Sequence, residues 1–301
     1  MRVTALSLAA VIVLPCFAEA PAARIPDELY PPAPDRHLQR ELERAVDRLG
    51  LAATARRQRL GLALLDLTDA DQPRYAAIND QQMIYAASLP KIAVLLAGFE
   101  SLQEGRLRDT PELQASFLRL IRFSSNDDAS LAIRRIGFEY IAQTLRSPRY
   151  RLYDQRRSGG LWVGKAYGGP NDRWRRDPLH NLSHGANALQ TARFFWMLDA
   201  GRLVSPRYSA RMKQILGRPG IRHKFVKGLD QIGGRTIYRK SGTWRSWHSD
   251  AALVETEDGR RYVAVGLLEH PRGGELLADL IVEVDRLICG PANVVQQIHT
   301  D

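Results

Sequence analysis

The chain has 301 residues, 45% of them hydrophobic, and carries 43 lysines and arginines against 33 acids, for a net charge of +10. That length suits one large domain or two intimate lobes. The basic balance, mostly arginine, allows anionic ligands, but no nucleic-acid motif, interleaved basic and aromatic run or repeat accompanies it, so no nucleic-acid partner is expected.

In chain order, residues 1–20 read as a secretory signal. Arg2 gives the positive start, Ala5 to Leu14 the apolar core, and Ala18-Glu19-Ala20 a small-residue cleavage region. The apolar core is too short for a comfortable membrane span, no later segment resembles one, and no stable membrane insertion is expected. The protein is therefore expected to be exported, to the periplasm or medium. Cys16 follows Val13-Leu14-Pro15, where the proline departs from a lipoprotein signal. Without the signal only Cys289 remains, so no internal disulfide can form in the mature monomer.

Residues 21–34, rich in alanine and proline, read as a linker. From Asp35 to about Arg57, Leu38, Leu42, Val46, Leu49 and Leu51 keep a helical period. Leu60 to Leu67 then reads as a buried strand and Arg74 to Ile78 as a second, each followed by a turn. The run "YAASLPKIAVLL", Tyr85 to Leu96, begins a buried helix that Gly105 closes. Ser88 suits its cap and Pro90 its first turn. Residues 106–215 read as mostly helical, with starts at Thr110-Pro111-Glu112 and near Asn126 or Asp127. Gly159-Gly160, Gly168-Gly169-Pro170 and Asp177-Pro178 mark 150–182 as a long loop, the kind that is often functional. Helix resumes over Ala188 to Leu198. Strands follow at Thr236 to Lys240, Ser249 to Glu255 and Arg261 to Leu268, the last two joined as a hairpin, and a closing helix spans Leu276 to Ile288. The outline predicts an α+β domain: one antiparallel five-stranded sheet drawn from both chain ends, flanked by helices, with a helical block inserted.

Three motifs occur in this order: Ser88-Leu89-Pro90-Lys91, Ser124-Ser125-Asn126 and Lys240-Ser241-Gly242. Alone, each is as readily a helix cap, a helix junction or a strand end. Together, on a helix, a helix junction and a strand, they resemble the penicillin-recognising serine hydrolases, the class A β-lactamases and penicillin-binding proteins. The likeness covers roughly residues 35–290. It implies a β-lactamase/transpeptidase-like fold, with an α/β lobe over 35–87 and 216–290, a helical lobe over 88–215, and a tail over 291–301. It implies a β-lactam or a D-alanyl-D-alanine-like peptide as partner, no cofactor, and a monomer.

The residue types suit that chemistry. Residues three apart on a helix share a face, so Lys91 can reach Ser88, which needs a base to attack. Burial near Lys240 would lower the proton affinity of Lys91. The resemblance assigns Ser124 to the proton relay and Asn126 to holding Lys91 and the substrate amide. Lys240 and Ser241, helped by Thr243, would take the substrate carboxylate. The backbone N–H groups of Ser88 and Thr243 would form the oxyanion hole, and Gly242 would leave room for the substrate along the strand.

One departure stands out. Class A enzymes use a loop glutamate to activate the deacylating water, yet no glutamate lies between Glu139 and Glu255. The nearest pattern is "RDPLHN", in which Asp177 would stand in as base and Asn181 would help hold the water. His180 and His184 lack a third ligand, so no metal is expected. His248, near Trp244 and Trp247, is expected to line the cleft, and Asp250 to be structural.

Overall fold

A computed structural model describes residues 29–169 and 173–290. The signal segment 1–20, Cys16 and the tail 291–301 lie outside the described residues, as does most of the linker. The described end of that linker does not hang free. Leu29 is buried, its carbonyl accepts from Arg193 Nε at 2.6 Å, and the guanidinium of Arg193 lies 3.7 Å from the centre of the Tyr30 ring.

The sheet is the expected antiparallel one. Its strands are β1 (Leu60–Asp66), β2 (Arg74–Ile78), β3 (Arg235–Trp244), β4 (Trp247–Thr256) and β5 (Arg261–Glu269), in the order β2-β1-β5-β4-β3. Strands from the two chain ends meet at β1 and β5, where Leu64 pairs with Ala264. Successive side chains point to opposite faces. Leu60, Leu62 and Leu64 therefore join one core with Ala252, Val254, Tyr262 and Ala264, whereas Ala63 and Leu65 join another with Ala251, Leu253, Val263 and Val265. A sheet apolar on both faces must be covered on both.

Ten α-helices occur among the described residues, and several of them do the covering. The first, α1 (Arg36–Arg48), starts where the Asp35 carboxylate accepts from Leu38 N at 2.8 Å. The single helix expected over 35–57 is two, because Gly50 takes φ +68° and α2 (Ala52–Arg56) starts afresh. α1 shares its core with α9 (Phe225–Ile232) and α10 (Gly273–Cys289) on one face. The other face carries α3 (Lys91–Gln103), α7 (Ala188–Asp199) and α8 (Pro206–Leu216). α4 (Pro111–Arg122), α5 (Asn126–Ile136) and α6 (Phe138–Arg146) stack beyond α3. Every residue of α3 from Lys91 to Leu102 is buried, so it runs as a central strut through this side of the molecule. The core on this side is continuous from the sheet into α4, α5 and α6, and α7 and α8 pack on the sheet itself.

The long loop 150–182 contains short paired segments. Trp162–Val163 and Ile84–Tyr85 flank His184–Ala186 in a small sheet. That sheet ties the loop to the turn preceding α3.

Candidate active site

The turn before α3 presents Ser88. Ala87 holds φ +49°, a conformation that costs a side-chain-bearing residue about 1 kcal/mol or more. The hydroxyl of Ser88 does not cap the helix: the cap position belongs to Pro90, without a side-chain bond. Among the described residues, the Ser88 N–H has no acceptor.

One turn on, Lys91 is 0% exposed. Its Nζ donates to Ser124 O at 2.6 Å and to Asn126 Oδ1 at 2.8 Å, with Ser124 Oγ at 3.4 Å. Burial pulls its pKa down to about 7. A neutral amine has two N–H groups and a lone pair, and the two short bonds use both N–H groups. Ser124 lies just before α5 with φ +56°, a second strained non-glycine. Ser125 caps α5 through Asp128 N at 3.2 Å, leaving Ser124 and Asn126 to face Lys91.

The third motif comes from β3. Lys240 is 1% exposed, and its Nζ donates to Ser124 Oγ at 2.9 Å and to Ser241 O at 2.6 Å. Burial first, and the charges of Lys91 and Arg239 next, lower its proton affinity. Ser124 Oγ therefore lies between two lysines. Gly242 is required for a reason other than substrate room: a Cβ there would sit 2.2 Å from Ala86 O and 2.6 Å from Ser88 N. The strand packs directly on the Ser88 turn, and Ser249 Oγ on β4 fastens the same turn by donating to Ala86 O at 2.8 Å.

A cleft of about 440 Å³ opens over this junction, lined by Ser88, Asn126, Lys165, Tyr167, Thr243 and Trp244 among others. Tyr85 and Trp244 line it, and Trp247 packs against both, with ring centres 5.4 to 5.9 Å apart. Trp244 is 46% exposed.

Other expected site residues fall elsewhere. Asp177 is 2% exposed and is absent from the cleft lining. Its carboxylate accepts from the Tyr153 hydroxyl and from His180 N at 2.6 Å, and its backbone closes the same turn through Leu182 O and Asn181 N. The side chain thus caps its own loop. Asn181, at φ +57°, is exposed and uses its carbonyl to accept from Arg176 at 2.8 Å. His248 is also displaced from the cleft. It shares a β4 face with Asp250, opposite Ser249, and packs against Gly273 at the start of α10. Asp250, fully buried, holds Arg239 through two 2.7 Å bonds and accepts from Phe225 N.

Two residues near β3 escaped the sequence reading. Lys224, 1% exposed at φ +51°, donates to Gly242 O at 2.6 Å, Thr243 Oγ1 at 2.7 Å and Ser249 O at 3.1 Å. Burial lowers its pKa to about 8, partly countered by Asp250. His223 Nε2 lies 3.2 Å from Ser241 Oγ. The scarcity of lysine was the available signal. The chain has six, and Lys91, Lys165, Lys224 and Lys240 all gather here. No group of three or more metal-ligating side chains occurs among the described residues.

A model of the Beta-lactamase enzyme family matches residues 41–116 and 121–289. The chain belongs to that family. Among solved structures, PBP-A matches with a TM-score of 0.63 at 22% identity, over 85% of this chain and 97% of its own. A PBP-A mutant, an acyl-enzyme complex with penicillin G, matches with a TM-score of 0.64 at the same identity and coverage. A β-lactamase from Sphaerobacter thermophilus matches with a TM-score of 0.63 at 16% identity, over 83% of this chain and 97% of its own. These structures share the fold of this β-lactamase-family chain. No curated protein matches.

Proposed function

We propose that the protein is an exported serine hydrolase that forms an acyl-enzyme on Ser88 with β-lactams, and that it opens the β-lactam amide faster than it releases the product. The observation that carries this reading is the seam Lys91–Ser124–Lys240, closed against the Ser88 turn by Gly242. Neutral Lys91 takes the Ser88 proton as Oγ bonds to the β-lactam carbonyl carbon. The oxyanion forms beside the Ser88 N–H, whose lack of an acceptor among the described residues fits that use. The C–N bond then breaks as Ser124 passes its proton to the leaving nitrogen and recovers one from Lys91. Lys240 donates to Ser124 Oγ, which leaves that hydroxyl's own hydrogen for the transfer. Ser241, with Thr243 braced by Lys224, takes the substrate carboxylate.

The bonding of the Asp177 loop supports slow release. No carboxylate is among the described residues that line the cleft, and the bonds of Asp177 are consumed locally. The same observation favours a second reading, a D,D-peptidase acting on D-alanyl-D-alanine-like peptides. The test is to mix the purified protein with a chromogenic cephalosporin and follow turnover and intact mass together. A persistent adduct on Ser88 with slow turnover is the expected result. Release of D-alanine from a model peptide would move the assignment to the second reading. A folded protein giving neither adduct nor turnover would overturn both.

A further inference from the structure

Lys91 has a third neighbour that the relay does not use. Its Nζ lies 4.5 Å from the centre of the Tyr167 ring, over the face. An aromatic face attracts a cation, most strongly where water is excluded. Tyr167 is buried, its hydroxyl has no partner among the described residues, and its other ring contact is a stack with His184 at 4.3 Å. The ring's position is built rather than incidental. Ser130 Oγ accepts from Tyr167 N at 3.0 Å and donates to Tyr167 O at 2.7 Å. Ser130 stands one helical turn after Asn126 on α5, so one helix holds both the acceptor and the aromatic face that meet Lys91.

We propose that the face of Tyr167 is a seat for the ammonium form of Lys91, making Tyr167 a positioning residue for the proton transfer. Acylation loads the Ser88 proton onto Lys91 before Ser124 hands one to the leaving nitrogen. The charge then sits where burial disfavours it. Lys240, from β3, opposes the charge through Ser124, and neutral His184, from the small sheet, lies behind the ring with Lys165 beside it. Ser124 and Asn126 supply neutral acceptors, and the Tyr167 face supplies the compensating negative potential. The hydroxyl of Tyr167 contributes nothing to the seat.

This inference rests on the acylation reading of the same site, but its test does not require turnover. With six lysines in the chain, isotope labelling at lysine Cε gives a resolvable NMR titration, and the Lys91 resonance is the one lost in Lys91→Met. Tyr167→Leu should lower the Lys91 midpoint by about one pH unit, roughly tenfold in proton affinity. Tyr167→Phe should hold the wild-type midpoint. Phenylalanine with increasing ring fluorination at the same position should step it downward while keeping the packing, which covers a Leu variant that fails to fold. The midpoint for adduct formation with penicillin G should move in parallel. Wild-type titration in both the Leu and the fluorinated proteins would overturn the seat. Shifted titrations without any adduct would uphold the seat and instead defeat the acylation reading.

Discussion

The Ser88 seam and the Asp177 loop both carry residues whose types suit catalysis, yet the two regions spend their polar groups differently. In the seam, side chains from α3, the start of α5 and β3 converge, and the bonds to Ser124 and Asn126 cross between elements far apart in sequence. In the loop, the bonds of Asp177 reach only as far as Leu182 and Tyr153, and they close the turn on itself. The Asp177 carboxylate thus braces its own loop through Tyr153 and His180. The difference teaches that donors and acceptors must be counted before a motif is given a role.

That contrast can be broken by substitution. Lys91→Met should cut the acylation rate about 10²–10⁴-fold, read by stopped-flow adduct formation, because it removes the base. In the wild type the same rate should rise with pH and be half-maximal at about 7, since the neutral amine is the active form. The unfolded chain's lysine binds its proton up to about pH 10.4, so folding stability should also fall as pH drops through that interval toward 7. A flat rate profile from pH 6 to 8 would remove Lys91 as base.

Asp250→Ala should destabilise by about 3–5 kcal/mol in denaturant titration, because it strands the buried Arg239 guanidinium. Gly242→Ala should cost about 1–3 kcal/mol and impair acylation as well, since its Cβ must displace the Ser88 turn. Asp177→Asn should cost about 1 kcal/mol while leaving the acylation rate within about twofold. A large loss of deacylation in that variant, with the loop intact, would give Asp177 the role of deacylating base.

Much of the fold was legible because its signals are local. β2 spans Arg74–Ile78 as its residues suggest, and the apolar runs of β1 and β5 are buried on both faces, as a fully covered sheet requires. The capping residues Asp35, Thr110 and Ser125 mark true helix starts. Errors arose where a left-handed residue broke a period, as at Gly50, or where strands ran on, as β3 and β4 do through Trp244 and Trp247 to the turn at Arg245. α9 is short, at eight residues, and no side-chain cap marks its start, so the helical spacing of Phe225, Val226, Leu229 and Ile232 stands without a boundary signal.

The sequence by itself determined which chemical groups the protein possesses: an ordered serine, lysine, serine and lysine, and a loop without glutamate. It also determined the helix and strand periods that carry them. Only the tertiary structure decided which of those groups meet. Lys91 and Lys240 come to one hydroxyl across separations that no local pattern encodes, and Ser130 helps bring Tyr167 under Lys91 by bonding its backbone. The same rule that assembled the seam holds Asp177: a buried polar group must be satisfied, and here Tyr153 and His180 satisfy it.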